Sequence, residues 1–193
     1  MRTDEGRNTL STADPQAPLV LDTRELGRRP GAQRRVRRQV EAPAGLGIDV
    51  LGVPEGSAIE LEIRLEAVVE GVLATVETRV RLAGECVRCL EPIERELDVE
   101  FQELFAHADS EVEDDEASRL EGDLLDLEPE LRDAVLLALP FQPLCRDDCP
   151  GLCPDCGARL ADEPDHRHEE NTDPRWSALA ELRLDNNDNA QRD

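Results

Sequence analysis

The chain has 193 residues, with 22 basic side chains against 45 acidic ones, a formal charge of −23 and no lysine. That imbalance disfavours generic binding to nucleic-acid phosphates, which needs neutralising cations. The length fits one ordinary domain plus tails, or one domain and a small metal module.

Residues 1–18 are polar, with Pro15 and Pro18, and read as a disordered tail. Val20 to Arg29 has the composition of a short helix capped by Asp22 or Thr23. A basic arm over residues 24–40 follows, holding Arg24, Arg28, Arg29, Arg34, Arg35, Arg37 and Arg38 with only Glu25 opposing them. Pro43 to Gly56 is rich in turn formers around Ile48 to Leu51 and predicts one short strand.

From Ala58 the pattern sharpens. Ile59, Leu61, Ile63 and Leu65 alternate with Glu60, Glu62, Arg64 and Glu66, the period of a half-buried strand. Beyond a turn near Glu70-Gly71, Val72, Ala74, Val76, Thr78, Val80 and Leu82 alternate again, and Ile93, Leu97, Val99 and Phe101 form a third run. Three such runs predict an antiparallel meander. Three strands make too small a sheet to stand alone, so strands near Pro43 to Gly56 and Leu124 to Leu127 are expected to extend it to a small barrel or sandwich.

Residues 107–122 read as an acidic loop, and residues 91–140 as a whole set many carboxylates against only Arg95, Arg119 and Arg132. Pro129 opens a helix to Leu139 with Leu131, Ala134, Val135, Ala138 and Leu139 as its apolar stripe. Residues 145–182 then form a cysteine-rich module ending in a short helix capped by Asp173-Pro174 and carrying Trp176, Leu179 and Ala180. A second tail follows over 183–193. The fold class expected is α+β: a β-rich domain over 19–144, a few short helices and this C-terminal zinc module.

The six cysteines fall into three pairs: Cys86-Val-Arg-Cys89, Cys145-Arg-Asp-Asp-Cys149 and Cys153-Pro-Asp-Cys156. A tight turn of that spacing presents two thiolates to one tetrahedral ion, whose sulfurs lie about 2.3 Å from zinc. A lone pair could equally be a redox dithiol. Residues 1–30 contain no apolar stretch long enough for a signal peptide, and no run of about eighteen apolar residues occurs anywhere. The expectation is therefore a soluble cytoplasmic protein whose thiols stay reduced and serve a metal. Scarce aromatics, Phe101, Phe105, Phe141 and Trp176, leave a core of small side chains that metal cross-links would reinforce.

His166 and His168 bring the candidate ligands to eight, enough for one or two zinc ions. One partition gives Cys86, Cys89, Cys145 and Cys149 to a first site, and Cys153, Cys156, His166 and His168 to a second. Another places Cys86, Cys89, Cys153 and Cys156 on one ion in a zinc ribbon. The bland readings are a solvated His-Arg-His in an acidic tail and a packed pair of free thiols at Cys145 and Cys149. His107 is assigned no role. Closed four-ligand sites and the lack of a His-Glu-x-x-His element argue against catalysis, so no enzyme is expected.

The chain resembles the bacterial YceD family. The resemblance rests on Gly84-Glu85-Cys86-Val87-Arg88-Cys89-Leu90-Glu91-Pro92 after the alternating strand pair, then Leu137-Ala138-Leu139-Pro140 and Leu144 to Cys149. It continues in Gly151-Leu152-Cys153-Pro154-Asp155-Cys156-Gly157 and Asp173-Pro174-Arg175. The resemblance implies a factor for accumulation of large-subunit ribosomal RNA, whose gene often neighbours that of a small zinc-ribbon ribosomal protein. Many members have Cys-x-Cys where this chain has His166-Arg167-His168, a change that preserves ligation chemistry.

Two functions follow as expectations. The first is a non-enzymatic ribosome-biogenesis factor whose arginine arm contacts precursor RNA, while its acidic body receives a basic ribosomal protein. The alternative is a zinc-dependent redox-responsive regulator or chaperone-like binding protein. Neither involves a membrane or a small-molecule substrate.

Overall fold

The computed structural model describes residues 13–113 and 117–168. They fall into two compact units that divide after Cys149. The division lies five residues beyond the boundary expected before Cys145, because the Cys145 and Cys149 thiols reach back to Cys86 and Cys89. Most of the first unit is antiparallel sheet with one helix.

The strands are β1 (Val20–Asp22), β2 (Gln33–Glu41), β3 (Gly47–Ile48), β4 (Leu51–Gly52), β5 (Ala58–Ala67), β6 (Gly71–Glu85), β7 (Pro92–Ala106), β8 (Ser118–Arg119) and β9 (Leu124–Asp126). The helix α1 spans Glu128–Ala138. Strands β5, β6 and β7 are the expected meander. Their alternate residues, Ile59, Leu61, Ile63, Leu65, Val72, Ala74, Val76 and Val80, are buried on one face. Each valine, leucine or isoleucine among them contributes roughly 1.5–3 kcal/mol of transfer free energy.

Strand β6 organises the sheet. Along its full length it pairs with β7, from Gly71↔Ala106 to Glu85↔Pro92. Its other edge is shared, by β5 from Val72 to Arg79 and by β4 at Ala83 and Gly84. A Cβ at Gly84 would lie 2.1 Å from the Val50 carbonyl oxygen and 2.7 Å from Leu51 Cα, so only glycine lets three strands meet there. The next two residues lead into Cys86.

Several expectations are corrected. Val20 to Arg29 is not a helix: β1 pairs with β9 through Val20↔Asp126, Leu21↔Leu125 and Asp22↔Leu124, and Asp22 Oδ1 then accepts the Arg24 amide in a turn. Much of the basic arm is the ordered strand β2, registered on β5 from Gln33↔Glu66 to Glu41↔Ala58. Pro43 to Gly56 supplies two short strands, not one. Of the acidic loop, Ser118–Arg119 forms β8, parallel to β7. The described pairings form a seven-stranded sheet in open order, with β7 and β8 branching from β6, and a separate two-stranded sheet of β1 and β9, so Leu124 to Leu127 does not extend the meander.

On α1, Leu131 and Val135 are buried, with Leu139 just beyond, whereas Ala138 of the expected stripe is exposed. Among the described residues no helix is long and apolar enough to cross a membrane. The helix expected around Trp176, the tail over 183–193 and residues 1–12 lie outside the described residues.

Candidate metal centres

The turn between β6 and β7 is the first knuckle. The Leu90 amide donates to the Cys86 carbonyl at 2.9 Å, and the Cys86 amide to the Glu91 carbonyl at 2.8 Å. The second knuckle repeats both bonds: the Gly157 amide to the Cys153 carbonyl at 2.9 Å, and the Cys153 amide to the Ala158 carbonyl at 2.8 Å. In each, the residue after the second cysteine is left-handed, Gly157 at φ 75° and Leu90 at φ 60°. For leucine that conformation costs about 1–2 kcal/mol.

The loop after α1 brings the other thiols to the first knuckle. The Val87 amide donates to the Pro143 carbonyl at 3.0 Å, Arg88 Nη1 to the Cys149 carbonyl at 3.1 Å, and Arg95 to the Leu144 carbonyl. Cys86 Sγ then lies 3.8 Å from Cys149 Sγ, and Cys89 Sγ 3.5 Å from Cys145 Sγ. All four sulfurs are within 4.8 Å of one another. A tetrahedral site with 2.3 Å metal–sulfur bonds has edges of about 3.8 Å. None of the six cysteines is in a disulfide.

In the second unit, Cys153, Cys156, His166 and His168 form an equally close group. His166 Nε2 and His168 Nε2 each lie 3.2 Å from Cys156 Sγ and 2.9 Å from each other. The turn from Glu163, whose carbonyl accepts the His166 amide, bends the His-x-His segment enough for both rings to converge. His166 Nδ1 donates to Glu163 Oε2 at 2.8 Å, which leaves Nε2 facing the thiols. That carboxylate–imidazole pair is the usual support of a metal-bound histidine. Sequence reading missed Glu163; its place three residues before His166 was the available signal.

The electrostatics favour a thiolate at one cysteine of each group. Burial pushes the Cys86 thiol up, but amides of Cys145, Cys89 and Arg88 aimed at the sulfur outweigh it and bring it to about 6. Amides of Cys156 and Asp155 do the same for Cys153, also to about 6. Cys145, hydrogen-bonded to Cys89 and crowded by the other sulfurs, is pushed up to about 12. Four sulfurs so close cannot all ionise unaided, and a divalent cation is what resolves that repulsion. Both groups can therefore hold a metal ion. They correspond to the first partition above rather than to the ribbon.

A family model described as "Large ribosomal RNA subunit accumulation protein YceD" matches residues 74–183, which include all eight of these side chains. The chain belongs to the YceD family. It is 45% identical over 170 residues to the uncharacterized protein Rv2926c of Mycobacterium tuberculosis, covering 86% of this chain and 82% of that one. It is 38% identical over the same length to the uncharacterized protein ML1660 of Mycobacterium leprae, covering 86% and 78%. With the uncharacterized protein YlbN of Bacillus subtilis it shares 30% identity over 101 residues, half of this chain and 58% of that one. No solved structure matches the chain.

The seven arginines of the basic arm are not equivalent. Arg24 pairs with Asp22, Arg28 with Asp109, Arg34 with Glu25 and Arg37 with Glu62. Arg29, Arg35 and Arg38 have no such partner among the described residues. A concavity of about 850 Å³ on the outer face of β5 to β7 is lined chiefly by charged side chains, among them Glu60, Glu62, Glu77, Arg79 and Arg81, and by no cysteine.

Proposed function

We propose that the protein is a non-enzymatic factor for large-subunit ribosome biogenesis, supporting accumulation of large-subunit ribosomal RNA and stabilised by two structural zinc ions. Membership of the YceD family carries the ribosomal reading. The four-thiol cluster with edges near 3.8 Å supports the zinc reading, because soft thiolates in a closed tetrahedral set suit that ion and leave no open position for a substrate. Reduced thiols in such a site fit a cytoplasmic protein.

The RNA partner is a large-subunit precursor, touched by the cations that have no internal carboxylate: Arg29, Arg35 and Arg38. A basic ribosomal protein is the second partner, suited to the acidic body. Co-sedimentation with large-subunit precursors tests this. The R29E/R35E/R38E variant is expected to lose at least tenfold in association, with a salt slope reduced by about 2–3. Unchanged association removes these arginines from the mechanism; absence of the wild-type chain from the precursors overturns the function.

One observation favours the redox-responsive alternative: Cys145 and Cys156 are exposed, so each site offers one sulfur to an oxidant. Zinc release by mild peroxide would support it. Sites inert to peroxide dispose of it.

A further inference from the structure

Of eight large apolar side chains exposed among the described residues, seven lie on three segments around the first thiol cluster. Val50 is on the β3–β4 turn, Val87 and Leu90 are on the knuckle, and Leu137 and Phe141 are at the end of α1; Ile48 and Leu136 adjoin them. Hydrogen bonds stitch these segments together. The Glu85 amide donates to the Val50 carbonyl at 2.9 Å and the Val87 amide to the Pro143 carbonyl at 3.0 Å. Scattered apolar residues need no explanation, but seven on joined segments do. The eighth, Val69, stands apart on the β5–β6 turn.

Leu90 strengthens the case. Its backbone is left-handed at φ 60°, where the equivalent residue of the second knuckle is Gly157, and its side chain is 59% exposed. Packing inside the fold does not account for a leucine there. The left-handed turn belongs to both knuckles, so what needs a reason is an exposed leucine kept where glycine fits without strain.

Charge identifies what would cover it. The arginines on these segments are engaged: Arg88 by the Cys149 carbonyl, Arg95 by the Leu144 carbonyl, Arg132 by the Gly45 carbonyl and Glu128, and Arg146 by Asp148. Asp49, Glu85 and Asp147 are exposed on the same three segments with no cation against them among the described residues. A carbonyl partner leaves the charges of Arg88 and Arg95 in place, so Asp49, Glu85 and Asp147 outnumber the cations that remain and the rim is net anionic. It repels phosphate and a second copy alike, and attracts a cation-rich chain.

We propose that the apolar surface around Val50, Leu90, Leu137 and Phe141 docks a cationic protein segment carrying apolar side chains. This rests on reading the protein as an assembly factor with a basic protein partner, and gives that partner its surface. Apolar anchors would supply affinity and the acidic rim orientation and rate.

The test places a photo-crosslinking phenylalanine at position 141 of the full chain in cells, with the same probe at position 69 as control. Adducts are mapped by mass spectrometry. The expected adduct at 141 joins a protein segment of net positive charge, is lost in high salt with the purified pair, and falls at least tenfold in the L90G and L137Q variants. L90G relieves the left-handed strain, so its melting temperature is expected to hold or rise, and loss of the adduct is then not misfolding. Adducts to RNA, to a second copy, to residues 169–193 of the same chain, or none above the control overturn the proposal. A chain that still co-sediments with large-subunit precursors while giving no such adduct loses this surface and keeps its function. One that never co-sediments loses the function itself.

Discussion

Loss of the proposed zinc should cost the β domain a calculable share of its stability. The first site ties the knuckle to the loop after α1, and its closest cross-tie, Cys89 to Cys145, spans 56 positions. Taking the chain-entropy model for a cross-link of that length, the tether reduces unfolded-state entropy by about 14 cal/mol/K, or about 4 kcal/mol at 25 °C. Domains have roughly 5–15 kcal/mol in total, so the loss is a large fraction. The second site, with 10 positions from Cys156 to His166, closes a shorter loop worth about 3 kcal/mol. The assay is urea unfolding under reducing conditions, with and without a zinc chelator. At a slope near 2 kcal/mol/M, the midpoint should fall by about 2 M on chelation. The C145A/C149A variant, which keeps the knuckle but cuts the tether, should show a fall of similar size without chelator. Coincident midpoints for zinc-loaded and chelated protein would refute the tether.

Three further outcomes follow. G84A should lower the melting temperature by several degrees, because a methyl 2.1 Å from the Val50 carbonyl oxygen forces β4 away from β6, at about 1–3 kcal/mol; an unchanged melt would show that the strands part freely. H166A/H168A should reduce bound zinc from two ions to one by elemental analysis, and a constant count would return the histidines to solvent. Burial, with the Glu103, Asp133 and Asp126 carboxylates nearby, raises the Glu130 carboxyl despite the Ser118 hydroxyl donating to it. Its neutral form is therefore favoured in the fold, and stability is lost as pH rises through the raised folded value. E130Q should then melt higher than wild type at pH 7 and alike near pH 4; a lower melt at pH 7 would reverse that sign.

The legible parts of the fold were those whose signal is local. Strands β5, β6 and β7 announce themselves because polar and apolar residues alternate along much of each. Strand β2 hides because arginine occupies both of its faces: Arg35 and Arg37 on the outer one, Arg34 and Arg38 on that of Val36 and Val40. Val20 to Asp22 looks helical because its partner, β9, lies about a hundred residues away, and no local pattern carries such a pairing. Cysteine spacing identified the knuckles, but spacing is indifferent to which knuckle shares an ion with which pair. That choice is made by Pro143 and Leu144, whose carbonyls are held by Val87 and Arg95, and by the turn from Glu163 that aims His166. The left-handed Leu90 was invisible in sequence, since nothing but the backbone records it.

The separation of the first site's ligands along the chain also sets an order of events during synthesis. Cys86 and Cys89 are made first, and their partners Cys145 and Cys149 follow 56 or more residues later. At about 5–20 residues per second that interval is roughly 3–11 s, during which two thiols wait on a finished hairpin. Any ion or oxidant met in that window meets a half-built site. The final ligand, Cys149, is the last residue of the first unit, so closing the tetrahedron and completing the β domain are the same event.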